Sequence, residues 1–200
     1  VLNASYSTDL FVARYDSAGN LMWAVNAPGS GAEGVIRVGV DAASNTYIAG
    51  YFTDTVTFGE TTLTTAGQFD FYVAKMDPQG NFLWAVQGGG TDDDYVWGLA
   101  LDEWGSAYIT GYFRENAQFG ATTLVSDGYD DIYLAKVSSE GEFLWALRAG
   151  GAFLDVGRGV GLDNEGNMYL TGRFNESAQF GDHSLMSIGG GEVFIAKFEP

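Results

Sequence analysis

The chain repeats itself at a fixed step. Trp23, Trp84 and Trp145 stand 61 residues apart, and so do Gly50, Gly111 and Gly172, and Gly59, Gly120 and Gly181. Asp9, Asp70 and Asp131 open Asp-Leu-Phe-Val-Ala-Arg, Asp-Phe-Tyr-Val-Ala-Lys and Asp-Ile-Tyr-Leu-Ala-Lys. A related opening, Glu-Val-Phe-Ile-Ala-Lys, starts at Glu192. No insertion or deletion breaks the register. A long, constant period means that one supersecondary unit is stacked side by side and buries its apolar faces against its neighbours. The repeats run over 9–69, 70–130 and 131–191, with 192–200 the start of a further one, and form a single array.

Each unit reads as four strands. In the middle repeat, Val96–Asp102 alternates Trp97, Leu99 and Leu101 against Gly98 and Ala100, a period-2 pattern with small residues on one face. Ala107–Phe113, Asp131–Val137 and Glu142–Leu147 supply the other three. Residues 117–126 form an excursion expected to carry short extended pieces of its own. Gly80, Gly105, Gly141 and Gly166 stand where tight turns need positive φ. No 3.6-residue apolar stripe is sustained, and the three prolines, Pro28, Pro78 and Pro200, avoid the strands. Four antiparallel strands repeated at constant length predict an all-β chain of β-propeller blades. Small residues on the first strand fit the crowding near a central axis. The pairs Val38/Val40, Leu99/Leu101 and Val160/Leu162 are expected between blades, as are the three recurring tryptophans.

The net charge is −17, from 26 acidic and 9 basic residues, which argues against nucleic acid and anionic membrane as partners. There is no cysteine, which excludes thiol nucleophiles and Cys/His zinc sites and suits an exported protein with a core large enough to need no disulfide. No apolar run approaches the roughly 20 residues of a membrane-spanning helix.

The linked motifs carry a resemblance. Val-x-Gly-Leu-Ala-Leu-Asp-x-x-Gly-Ser-Ala-Tyr-Ile-Thr-Gly (96–111), Gln-Phe-Gly (118–120) and Asp-Ile-Tyr-Leu-Ala-Lys-x-x-x-x-Gly-x-Phe-Leu-Trp-Ala (131–146) resemble the bacterial β-propeller repeat called SBBP. The likeness covers nearly all of 9–199. It implies a module of secreted or cell-surface proteins, a fold and a location more strongly than an activity. The reading taken from the chain is a scaffold, binding or adhesion module with a protein or glycan partner. The units are cut unevenly: the chain opens on a third strand and closes on a third. This predicts either a piece of a larger array or copies that complete one another through open blade edges, the second case giving a self-associating fibre.

Two sets of residues are candidates for function. Glu33, Asp94 and Asp155 occupy one loop position in successive repeats, and Asp92 and Asp93 adjoin the middle one. Hard cations take several oxygens, so these five are candidate calcium ligands, and a calcium-supported glycan-binding propeller is one alternative function. The competing reading is that they accept hydrogen bonds from backbone amides. Asp127, Asp130 and Asp131 form a second acidic cluster, expected in a solvated turn. The other set is Tyr95, Trp97, Trp104 and Arg158, which differ from their counterparts in neighbouring units and could stack on sugar rings or peptide side chains. Asp41, Asp102 and Asp163 are expected to cap turns. His183 stands alone with no triad spacing, so the chain is expected not to be an enzyme. Abundant carboxylates leave a propeller hydrolase as a further alternative.

Overall fold

The computed structural model describes residues 8–199, and within them every regular element is a strand. The first unit contributes β1 (Leu10–Tyr15) and β2 (Leu21–Ala27). The second contributes β3 (Glu33–Val40), β4 (Thr46–Phe52), the excursion hairpin β5 (Thr55–Phe58) and β6 (Thr61–Thr64), then β7 (Asp70–Met76) and β8 (Phe82–Gly90). The third contributes β9 (Tyr95–Leu101), β10 (Ala107–Phe119), β11 (Thr122–Val137) and β12 (Phe143–Ala149). The fourth contributes β13 (Val156–Leu162), β14 (Met168–Phe180) and β15 (His183–Phe198).

Each complete unit is a four-stranded antiparallel meander, β3-β4-β7-β8 and then β9-β10-β11-β12, and the last is β13-β14-β15. The excursion differs from its expected form in two units. Residues 117–126 are no separate piece. They prolong β10 and β11 past a bulge between Arg114 and Asn116, and β14 and β15 do the same past Asn175. The prolonged ends lean on the preceding blade, pairing Ala117 with Gly90 and Gln118 with Gly89. The bridges Gly29–Val56 and Gly150–Gln179 are equivalent.

The core lies between the blades, as period-2 alternation requires. Tyr72 and Ala74 on β7 face Leu10 and Ala27 of the preceding blade, whereas Phe71 and Val73 on the same strand face Ile109, Phe119 and Tyr133 of the next. Ile132 and Leu134 repeat this against Leu170, Phe174 and Phe194. Leu99, Leu101, Val160 and Leu162 pack between blades as expected. Val38 and Val40 do not: they are 66% and 62% exposed, because only the β1–β2 pair precedes them among the described residues.

The recurring tryptophans take equivalent, half-buried places rather than fully buried ones. Trp84 lies edge-on to Tyr47 at 5.8 Å and Trp145 edge-on to Tyr108 at 6.0 Å. Trp84 Nε1 donates to the Ser139 carbonyl at 2.9 Å and Trp23 Nε1 to that of Pro78 at 3.0 Å, so each indole fastens its blade to the turn of the next. Asp41, Asp102 and Asp163 cap their turns by accepting from Asn45, Ser106 and Asn167 amides at 2.8, 2.7 and 2.9 Å. Lys75 and Lys136 pair with the capping acids of their own blades, 3.8 Å from Asp41 and 3.3 Å from Asp102, and Lys75 also donates to the Ser139 carbonyl of the next blade at 3.2 Å.

Candidate functional site

The innermost strands carry one irregularity three times. On β3 the pairing steps from Val35–Gly50 to Arg37–Ala49, on β9 from Val96–Gly111 to Gly98–Thr110, and on β13 from Gly157–Gly172 to Gly159–Thr171. The residues passed over are Ile36, Trp97 and Arg158. A β-bulge of this kind leaves one residue out of the ladder and re-aims its side chain. The opposing glycine is part of the device: a Cβ on Gly111 would overlap the Tyr95 carbonyl oxygen, and one on Gly50 that of Gly34. Glycine also lets the innermost strands meet, since a Cβ on Gly98 would stand 3.0 Å from the Gly159 Cα. Each of these three blades thus offers one bulged side chain on its innermost strand, and its chemistry differs in each: aliphatic, indole, guanidinium.

These side chains join an aromatic cluster. Tyr95 lies 6.2 Å from Trp97 with the rings nearly parallel, 5.4 Å from both Tyr51 and Tyr112, and 5.3 Å from Phe69. The Arg158 guanidinium carbon sits 4.7 Å over the Trp97 ring. All five rings are half-buried, so the cluster has an accessible side. Burial, with the Asp93 carboxylate nearby, pushes the Tyr95 hydroxyl up to about 12. Tyr95, Trp97 and Arg158 are therefore brought together. Trp104 is not. It is 72% exposed in the turn at the other end of β9, on the order of 20 Å along the strand from Tyr95.

Tyr51, Phe69 and Tyr112 belong to this mouth although sequence reasoning did not select them. Tyr51 and Tyr112 recur at the 61-residue step, and recurrence by itself signals fold rather than a binding site. Phe69 has no aromatic counterpart, and nothing in the sequence placed it beside Tyr95.

The candidate metal residues sit at the blade junctions. Asp94 is fully buried and accepts from the Gly90 amide at 2.6 Å and the Arg114 amide at 3.2 Å. Asp155, also fully buried, accepts from Gly151 at 2.7 Å and Asn175 at 2.9 Å. Glu33 holds the equivalent buried place against Gly29. Asp93 turns instead to Arg114 at 3.7 Å, and Asp92 is half-buried. Asp94 and Asp155 thus each tie the segment before them to the neighbouring β-strand within their own junctions, while both Glu33 carboxylate oxygens are buried without a hydrogen-bond partner among the described residues. Among the described residues, no group of three or more His, Cys, Asp or Glu is arranged to hold a metal ion.

Each inward acid faces a second one. A Cβ on Gly89 would lie 2.6 Å from Asp70 Oδ1 and 3.0 Å from Asp94 Oδ2, and one on Gly150 would lie 2.8 Å from Asp131 Oδ1 and 3.1 Å from Asp155 Oδ2. Two carboxylates therefore crowd one glycine at each of these junctions. Burial, reinforced by the Asp70 and Asp92 carboxylates, pushes Asp94 up to about 8. Burial pushes Asp70 up to about 6. Burial and then the Asp9 carboxylate push Glu33 up to about 7. Burial likewise raises Asp155 and Asp131, with Arg148 opposing the shift at Asp131. Asp130 and Asp131 are therefore not in a solvated turn: they are 4% and 0% exposed, because Arg114 and Arg148 reach them at 2.7 Å each. Asp127 remains exposed and pairs with Arg148 at 2.6 Å. His183 is exposed at the head of β15.

Comparison with known proteins agrees with this architecture. An uncharacterized WD repeat-containing protein of Acanthamoeba polyphaga mimivirus is 28% identical over 151 residues, covering 68% of this chain. The fold is β-propeller-like. The chain spans 11% of that relative's length, so the likeness describes a repeat module and not a whole protein. No family model matches the chain.

Proposed function

We propose that this chain is a non-catalytic binding module of the secreted or cell-surface β-propeller kind, and that its ligand, a protein or glycan, docks at the axial mouth formed by Trp97, Tyr95 and their aromatic neighbours. The observation that carries this reading is the triple bulge. The backbone geometry of the innermost strands is the same in three blades, while the side chain it presents changes from Ile36 to Trp97 to Arg158. A purely structural position would keep its side chain along with its geometry, as the three tryptophans do. Half-buried aromatic rings beside an axis supply large contact area at small cost in side-chain entropy. The non-enzymatic reading is supported by the acids: those with raised protonation recur from blade to blade, and Asp70, Asp94, Asp131 and Asp155 among them accept from backbone amides. The resemblance to SBBP repeats supports the extracellular location and the adhesive or scaffold role.

Glycan and peptide arrays probed with the intact chain and with Trp97→Ala test the site. Binding by the intact chain that falls at least about tenfold in Trp97→Ala is expected, as for an interface anchor. Undiminished binding by the variant overturns the axial site. Turnover of a polysaccharide that a single carboxylate substitution removes would overturn the non-enzymatic reading. Labelling of intact source cells by a membrane-impermeant reagent tests the location, and protection of the protein from it counts against a surface role.

A further inference from the structure

The basic residues of this acidic chain fall into three sets. Lys75, Arg114, Lys136 and Arg148 are ion-paired with carboxylates, and Arg14 donates to the Pro78 carbonyl at 2.9 Å. Arg173 and Lys197 lie on β14 and β15 of the last blade. The remaining two, Arg37 and Arg158, lie on the innermost strands β3 and β13, which flank β9 and its Trp97. Both are exposed, and no ion pair among the described residues includes either one. In a chain with 26 acidic residues against 9 basic ones, two guanidiniums outside any ion pair among the described residues thus lie on the strands that flank Trp97.

Their setting indicates what they are free to hold. A guanidinium lying on an indole uses its face for the contact and keeps the N–H groups at its edge, where they match a carboxylate in a two-pronged geometry. The Arg158 guanidinium carbon stands 4.7 Å from the centre of the Trp97 ring, within the range of that contact. Arg37 is held lightly, by one hydrogen bond to the Ile36 carbonyl at 2.9 Å. The overall charge of −17 repels polyanions at long range, so the fitting ligand carries little negative charge and sets it beside an apolar group that the rings can cover.

We infer that the axial mouth recognises a carboxylate carried next to an aromatic or apolar group, with Arg158 as the fork, Trp97 as the platform and Arg37 as the second charge. This deepens the axial-binding reading and rests on it. The carboxylate of a peptide with an aromatic side chain has this chemistry.

N-acetyl-L-phenylalanine and its neutral amide serve as paired probes, titrated into the intact 200-residue chain while the Trp97 indole N–H resonance, assigned by its loss in Trp97→Phe, is followed by NMR. The acid is expected to bind about tenfold more tightly than the amide, as one charge-assisted pair allows. Arg158→Gln, at an exposed position, is expected to retain the wild-type melting temperature and to lose the preference for the acid. Arg37→Gln is expected to weaken the acid by a few fold and leave the amide unchanged. Equal affinity for the two probes, with Trp97 perturbed by both, overturns the carboxylate inference and leaves axial binding standing. A preference that survives in Arg158→Gln overturns it as well. Absence of any Trp97 response to either probe overturns the carboxylate inference, and the array comparison with Trp97→Ala then decides the axial reading by itself.

Discussion

At the scale of single residues, the buried acid pairs make a claim about pH. Glu33, Asp70 and Asp94 hold their protons in the folded chain up to about 7, 6 and 8, whereas in the unfolded chain they release them near pH 4. The folded state therefore binds more protons than the unfolded state between about pH 4 and pH 8, and stability falls as pH rises through that window. Asp16, Asp41, Asp77 and Asp163 work in the opposite sense. Hydrogen bonds from Asn20, Asn45, Asn81 and Asn167 favour their charged forms, so their contribution is lost only under stronger acid. The melting temperature is expected to be higher at pH 5 than at pH 8 by at least about 4 °C, taking roughly 2–4 °C per kcal/mol for a chain of this size. Calorimetry across that range checks this, and a flat or rising profile refutes it. Asp70→Asn is a sharper probe. Asp70 Oδ2 already accepts from the Ala66 amide at 3.0 Å, while Oδ1 has no partner and faces Asp94. An amide nitrogen in place of Oδ1 can donate to Asp94, so the variant is expected to be more stable than wild type at pH 8 and to flatten the profile.

At the scale of elements, the fourth strands β2 and β8 are each fastened to the following blade by one indole. Trp84 contributes an N–H bond to Ser139 of that blade and an edge contact to Tyr47 within its own. Trp84→Phe keeps much of the contact and loses the donor, and is expected to cost about 1 kcal/mol. Trp84→Ala loses both and is expected to cost about 3 kcal/mol. Urea titration separates the two variants, and similar midpoints for them would show that the hydrogen bond, not the packing, holds the joint. The bulges set a second expectation. Gly111→Ala places a methyl group on the Tyr95 carbonyl and must break the close approach of β9 to β10. It is expected to lose the cooperative transition of its blade, whereas alanine at Gly161, where a Cβ meets nothing within 4 Å, is expected to change the midpoint little. Equal effects at the two positions would refute the role assigned to the bulge.

At the scale of the whole molecule, the interface that recurs inside the array is exposed on the first and last blades among the described residues. Val193 and Ile195 are 84% and 73% exposed, although their counterparts Phe71, Val73, Ile132 and Leu134 are 2% exposed or less. Phe11 is 64% exposed, although its counterparts Tyr72 and Tyr133 are fully buried. One face is the partner of the other, because inside the chain Phe71 stacks on Tyr133 at 4.9 Å across the same kind of joint. Two faces that complement each other without being the same patch make a head-to-tail contact. The 200-residue chain is therefore expected to associate in solution, and Ile195→Glu is expected to shift it toward monomer. Light scattering checks this, and a monomer peak for the unaltered chain at high concentration refutes it.

What the sequence determined by itself is what repetition and alternation encode. An unbroken 61-residue step with period-2 strands leaves one economical solution, antiparallel blades packed face to face, and that solution was legible down to the turn glycines, whose φ values at Gly80, Gly105, Gly141 and Gly166 are 90°, 80°, 90° and 83°. The caps at Asp41, Asp102 and Asp163 were legible for the same reason, being local. The tertiary structure decided what depends on residues far apart in the chain. It passed Ile36, Trp97 and Arg158 out of their ladders, gathered Phe69 and Tyr51 beside Tyr95, and sent Trp104 to the opposite end of its strand. It also set Asp70 and Asp94 around Gly89, where burial makes both carboxylates hold their protons to higher pH than usual. A sequence pattern specifies which face of a strand a side chain takes. Only the approach of a second blade decides whether that face meets solvent, a ring or another charge.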